Sequence, residues 1–384
     1  MQFGKAIRNQ WHLDPGIVFL NNGSFGATPI KVLEAVRNYD VELEREPVRF
    51  YLDIYPGLLE RSRQKLSEFL KVDKGNLVLT DNATTAVNTI LRYMQSKLQK
   101  GDALLFTNHV YPAVRNTLNH IAELTGAELI EVKIGYPCSK EEILESVEKA
   151  INDKVKLALF DHISSATAVI FPVKELTEIC HRNGTNVLID GAHAPGMIEP
   201  DIEGINAEWY VANCHKWLFA PKSCAFIVTK KEKQEEFHPL VISLDYGTNY
   251  QKEFSWVGTR NFSSMLALYD AIKFYENLGA EEIRNYNHSL VIEAGKLISG
   301  HIETIYNKDE SMTGSMLTMK LPELKGNYKI LLNTELRDLF IREYMIEIPF
   351  MMFDNRIWFR ISAQVYNEIE DYRIFAAAIT RIVG

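Results

Sequence analysis

Between residues 76 and 230 the chain alternates short, continuously apolar runs with helix-like stretches, and this alternation restricts the fold more than any other feature. The runs are "NLVLT" (76–80), "ALLFT" (103–107), "AELIEVKI" (127–134), "KLALFDH" (156–162), "NVLID" (186–190), "WYVAN" (209–213) and "AFIVT" (225–229). Strands that are apolar on both faces and alternate with helices form a mostly parallel sheet covered on both sides. The pattern predicts helices over 83–97, 112–124 and 140–151. A further one lies in "PVKELTEICHRNG", where Pro172 suits the first turn and Gly184 the C-terminal cap. After about residue 260 the character changes. Two long helical patterns (about 262–278 and 281–299) precede "SMLTMKL", a helix near 333–343, "IEIPF", "IWFRIS" and a final helix from 367. With 384 residues, more than one core usually organises, two α/β domains are expected.

Ligands in such sheets bind outside the carboxyl ends of the strands, so the residues just after each run are the ones to inspect. They read "TDNATT", "TNHVY", "DHISS", "DGAH" and "NCHK". In "TDNATTAVN" a helix begins with small and hydroxyl residues; its free N–H groups and dipole suit an anion, although plain capping by Asp81 or Asn82 explains the same letters. Asp190 ends a buried strand and needs a cationic partner, which could be an arginine, a metal or a protonated heterocycle. Asp161, His162, Asp190, His193 and His215 could together suggest a metal, but no H-E-x-x-H helix is present and Lys216 would oppose a cation. Lys216, in "NCHKWLFAPKS", discriminates. A lysine in a partly apolar pocket loses its proton more readily, and a neutral amine is what Schiff-base chemistry requires. A helix N-terminus for a phosphate, Asp190 for a pyridinium and Lys216 for an aldehyde together fit pyridoxal 5′-phosphate (PLP).

Composition removes other classes. The formal net charge is −8, and the 42 Lys and Arg residues form no basic stripe, which argues against nucleic acid as a partner. No apolar run approaches the roughly 18 residues of a membrane span, and the N-terminus shows no apolar signal core. The four cysteines (Cys138, Cys180, Cys214, Cys224) include no C-x-x-C pair. A reduced, soluble, cytoplasmic protein is expected.

The chain resembles the class V aminotransferases, PLP enzymes of fold type I, and within them the isopenicillin N epimerase-like subgroup. The resemblance rests on "FLNNGSFGATP" (19–29), "EREPVRFY" (44–51), "TDNATTAVN", "TNHVYPA", "DHISSAT", "DGAHAPG", "NCHKWLFAPKS", "WVGTRN" (256–261) and "FRIS" (359–362). It implies a large domain (16–255) with a mostly parallel seven-stranded sheet, a small C-terminal domain (256–384), and an N-terminal segment (1–15) packing on the small domain. It also implies roles for single residues. Lys216 would carry the cofactor and then shuttle protons, Asp190 would keep the pyridine nitrogen protonated, and His193 would sit near the phenolic oxygen. Tyr111 would stack on the ring; Ala83, Thr84, Asn213 and His215 would hold the phosphate. Thr259 would reach the phosphate of a second subunit, giving a homodimer with shared active sites. Arg360 would bind the α-carboxylate of an amino-acid substrate, with Arg49 and Asn22 as further contacts. The local pattern supports Arg360, since Phe359 and Ile361 take one strand face and leave Arg360 on the other. The resemblance implies epimerase or C–S lyase chemistry, with class V transamination as the alternative; a non-catalytic PLP-binding scaffold and a metal-dependent hydrolase are the competing readings. Cysteine desulfurase chemistry needs a late, mobile cysteine, and the last one here is Cys224.

Overall fold

The structure, a computed structural model, describes residues 2–384. All seven apolar runs become strands of one sheet. They are β1 (Leu77–Thr80), β2 (Ala103–Thr107), β3 (Glu128–Val132), β4 (Val155–Asp161), β5 (Asn186–Asp190), β6 (Trp209–Asn213) and β7 (Ala225–Thr229). Their order is β1-β7-β6-β5-β4-β2-β3, with β2 to β6 parallel and β7 antiparallel to both of its neighbours. The expected fold type I sheet is therefore present. After edge strand β3 the chain returns to the other side of β2, and from β4 it grows in the opposite direction, which opens a crevice at the carboxyl ends.

Helices α1 (Ala83–Gln95), α2 (Pro112–Thr125), α3 (Lys140–Ala150) and α4 (Val173–Arg182) follow the predicted positions. Successive strand residues point to opposite faces. Leu157, Leu159 and Leu188 pack with Val87 and Ile90 of α1 and Leu118 of α2. Ala158, Phe160, Val187 and Ile189 pack with Leu176 of α4 on the other face. Asp161 and Asp190 are register partners that continue the Leu159 and Leu188 rows, so both carboxylates emerge on the α1 side.

A second core gathers around β8 (Met316–Lys320), β9 (Phe350–Phe353) and β10 (Arg356–Ser362), an antiparallel sheet in the order β9-β10-β8. It draws in Leu290, Val291 and Ile298 from α5 (Ala280–Ser299), Phe375 and Ile379 from the last helix, and Leu20. Phe262, Leu268, Phe274 and Ile283 pack instead with the large sheet. We infer from this division that the smaller domain begins inside α5 rather than at residue 256. The N-terminal segment reaches both cores: Ile7 and Trp11 belong to the first, as does Val365, whose carbonyl accepts from Gly4 N–H at 2.7 Å, while the Phe3 ring lies 5.0 Å from that of Tyr286, which packs against the second. Among the described residues, no helix is long and apolar enough to cross a membrane.

The β6–β7 loop, which carries Lys216, is clamped from two sides by glycines with positive φ. A Cβ on Gly26 (φ +70°) would lie 2.0 Å from the His215 carbonyl oxygen, and one on Gly196 (φ +86°) would lie 2.5 Å from that of Trp217. Alanine at 196 would meet both left-handed strain and backbone overlap, so Gly196→Ala should lose roughly 2–4 kcal/mol in urea unfolding. Gly57, in a helix with open space around it, makes the contrast: Gly57→Ala should be neutral or stabilising by up to about 1 kcal/mol.

Candidate active site

The carboxyl ends of β4, β5 and β6 bring Asp161, Asp190 and the Lys216 loop together, and β10 of the smaller sheet adds Arg360. Lys216 is partly buried, and its Nζ lies 3.0 Å from His193 Nε2. Burial brings its amine down to about 8, and the Arg360 charge pushes the same way; Asp190 and Asp161 work against them. Burial also drives His193 well below the ordinary histidine range, with the positive charges of Lys216 and Arg360 adding to it. The site therefore holds a neutral imidazole against an amine poised to lose its proton near physiological pH.

Asp190 accepts one hydrogen bond, from the Ala192 N–H at 3.0 Å. Burial raises its pKa, and burial together with the Asp190 charge raises that of Asp161 further. Asp161 Oδ2 has no partner. Two carboxylates side by side in a dry site cannot both ionise cheaply, so the pair shares a deficit of positive charge that a cationic ligand would meet. Sequence reasoning considered Asp161 only as a metal ligand; the signal for its present role was its position level with Asp190, which requires strand register to read. Gly191 has a separate reason: a Cβ there would lie 2.3 Å from the Tyr210 hydroxyl, which is hydrogen-bonded to His162 Nδ1 at 2.8 Å.

Arg360 is 2% exposed, which excludes a solvated surface arginine. Phe359 and Ile361 enter the second core, as alternation along the strand requires. The guanidinium donates to the Ser165 carbonyl and, at 3.4 Å, to the hydroxyls of Ser165 and Ser24, while its Nε has no partner. It is thus a buried cation with no carboxylate partner among the described residues, held ready for an anion. Asn22 is buried in the chain's short Asn22–Phe25 helix, which also carries Ser24. Its amide donates to the Lys216 carbonyl at 3.2 Å and its Oδ1 accepts from Tyr366 at 2.7 Å.

At the α1 N-terminus Asn82, not Asp81, is the cap, accepting from Thr85 N–H at 2.8 Å. Asp81 instead pairs with Arg260 at 2.6 Å through both oxygens, a link between "TDN" and "GTRN" that the sequence reading missed. Ala83 N–H donates to Asn213 Oδ1 at 2.9 Å, and Thr84 is exposed at the same terminus. His215 Nδ1 lies 3.1 Å from the Cys224 carbonyl, so its neutral ring carries the proton there. Donation from its other nitrogen would need an imidazolium, which burial opposes by holding the ring at about 4. Tyr111 is exposed at the N-cap of α2. Two candidates stand apart in the single chain: Arg49 is exposed and ion-pairs with Glu46 at 3.4 Å, and Thr259 is exposed on the 256–262 loop. Among the described residues no group of three or more His, Cys, Asp or Glu gathers as a metal site.

The model of the aminotransferase class-V family matches residues 18–371. L-cysteine desulfhydrase of Arabidopsis thaliana is 32% identical over 410 residues, covering 97% of this chain and 89% of the relative. Isopenicillin N epimerase of Streptomyces clavuligerus is 28% identical over 399 residues, covering 99% and 98%. A cysteine desulfurase structure from Thermococcus onnurineus NA1 shares the fold with a TM-score of 0.81 at 18% identity, covering 99% of this chain and 98% of that one.

The lowered pKa of Lys216 makes a prediction that needs no ligand. Its acylation by a small anhydride, followed by peptide mapping, should rise with a midpoint near pH 8, against the ordinary 10.5. Removing the opposing charge in Arg360→Met should move that midpoint upward.

Proposed function

The chain belongs to the aminotransferase class-V family, and on that footing we propose that it is a PLP-dependent C–S lyase acting on L-cysteine or a related sulfur-bearing amino acid. The observation that carries the reading is the lowered amine of Lys216 set between the Asp161–Asp190 pair and the carboxylate-free Arg360. The donor set fits the cofactor. Asp190 has an N–H donor but no cationic hydrogen-bond partner, matching a protonated pyridine nitrogen, and the α1 terminus with the Thr84 hydroxyl suits a phosphate. When bound, the cofactor supplies an electron sink for charge developing at the substrate Cα.

The chain's own residues do the rest. Lys216 Nζ would hold the cofactor by its aldehyde and, as an amine whose pKa is lowered to about 8, would take the substrate Cα proton. Asp190 would keep the pyridine nitrogen of the cofactor protonated, and His193 would lie on the side of its phenolic oxygen. Arg360 binds the α-carboxylate in a dry site, where a charge-assisted pair is strongest, and Asn22 steadies both Arg360's neighbourhood and the Lys216 loop. Ala83, Thr84 and Asn213 would hold the phosphate, with His215 joining only if the phosphate charge protonated it, and Tyr111 would cover the ring.

Three considerations favour elimination over other outcomes. It requires one base and a leaving group, whereas epimerisation requires a second acid on the opposite side of Cα. The desulfhydrase relative shares more identity with the chain than the epimerase relative does. All four cysteines are buried, with none presented as a persulfide carrier. The net reaction takes L-cysteine and water to sulfide, pyruvate and ammonia.

A second copy of the chain completes the site in this proposal. Val48, Leu52 (each 71% exposed) and Leu244 (88%) present apolar surface around a cavity of about 640 Å³ lined by Tyr51, Tyr55, Trp256 and Phe262. Arg49 and Thr259 lie on the same stretches, which is where a partner's site would use them. The expectation of a cytoplasmic protein belongs to this proposal as well.

Purified protein incubated with L-cysteine should release sulfide and pyruvate in equal amounts. Conversion toward an equal mixture of L- and D-cysteine without sulfide would instead establish epimerisation, and keto-acid-dependent amino transfer would establish transamination. Arg360→Ala should lower kcat/KM by about 100-fold, the worth of a charge-assisted pair. In analytical ultracentrifugation the chain should sediment as a dimer, and Leu52→Glu should shift it toward monomer; a wild-type monomer would contradict the shared site.

A further inference from the structure

His193 stands between two nitrogens whose chemistry differs. Trp217 Nε1 lies 3.3 Å from His193 Nδ1, and Lys216 Nζ lies 3.0 Å from His193 Nε2. An indole N–H can only donate, so Nδ1 accepts and carries no proton. A neutral imidazole must then bear its single proton on Nε2, which makes that nitrogen a donor to Lys216 Nζ. An ammonium has no lone pair to receive it; a neutral amine has one. The three residues therefore form a directed chain from Trp217 through His193 to Lys216.

We propose that Trp217 is a positioning residue that locks His193 as the Nε2–H tautomer, so that His193 donates into the pocket and Lys216 alone can take the substrate Cα proton. The last clause rests on the PLP reading above, while the tautomer does not. Trp217 is built to hold this place. It is fully buried, its backbone is pinned where Gly196 passes with no room for a Cβ, and its neighbours Lys216 and Leu218 lie in the same clamped loop. The charged and titratable groups facing His193 and Lys216 are Arg360 from β10, His215 from the same loop, and Asp190 and Asp161 from β5 and β4. Arg360 and Lys216 both oppose an imidazolium, and burial opposes it further. A histidine that neither accepts at Nε2 nor protonates cannot serve as the general base. The assignment thus separates two neighbouring candidates by hydrogen-bond direction, where distance alone would not.

The experiment uses the full-length protein without added cofactor, labelled with ¹⁵N-histidine. Long-range ¹H–¹⁵N spectra should show His193, identified by the signal lost in His193→Gln, as the Nε2–H tautomer at about pH 9–10, above the Lys216 midpoint near 8, where the amine is neutral and can accept. In Trp217→Phe the Nδ1–H tautomer should become populated. Its bare Nε2 can then accept from the Lys216 ammonium, stabilising the charged form, so the acylation midpoint of Lys216 should rise by about one unit. A wild-type Nδ1–H tautomer or imidazolium would overturn the proposal, as would a Trp217→Phe variant with both readings unchanged. If that variant does not fold, the wild-type spectrum decides alone. Failure of the PLP reading would look different: no borohydride-sensitive visible band on adding PLP, with the His193 tautomer still as stated.

Discussion

The site depends on one amine being kept out of water. Lys216 could remain an ordinary cation only if the surrounding residues solvated its charge, and they do not. His193 offers it a donor, Arg360 offers a like charge, and the nearby carboxylates Asp190 and Asp161 are themselves driven toward neutrality by burial. Each of these groups would be costly alone. Together they leave an unfilled requirement of one cation beside Asp190 and one anion beside Arg360, which the pyridinium and substrate carboxylate of the proposed function would meet.

Much of the remaining architecture can be understood as holding that loop in place. The parallel sheet aligns the ends of β4, β5 and β6, the antiparallel β7 closes the loop after Lys216, and Gly26 and Gly196 let two other segments press on its backbone. The smaller sheet contributes Arg360 from a strand whose other face is core, so the guanidinium cannot drift without disturbing Phe359 and Ile361. The Asp81–Arg260 pair ties the α1 terminus to the loop bearing Thr259.

The strands and most helices were legible because their signal is local: an apolar run of five residues bounded by polar turns reads the same in any context. Lys216, Asp190 and Arg360 were legible because each sits at a strand end or on an alternating strand, where position along the chain fixes direction. The partners that tune them were not. Asp161 acts through register with a residue 29 positions away (190 − 161), Trp217 through a ring nitrogen of His193, and Ser24 and Ser165 through a guanidinium from the other domain. The later start of the smaller domain inferred above was not legible for a related reason. Helical periodicity from 262 onward says that a helix has an apolar face, but not which core that face enters.

The most direct test of the account is to find which amine carries the cofactor. Full-length protein would be incubated with PLP, reduced with borohydride, digested and mapped by mass spectrometry. The account predicts a single phosphopyridoxyl adduct, on the peptide containing Lys216, in about one-to-one amount with the chain. An adduct on another lysine, or none above the background of surface lysines, would contradict it.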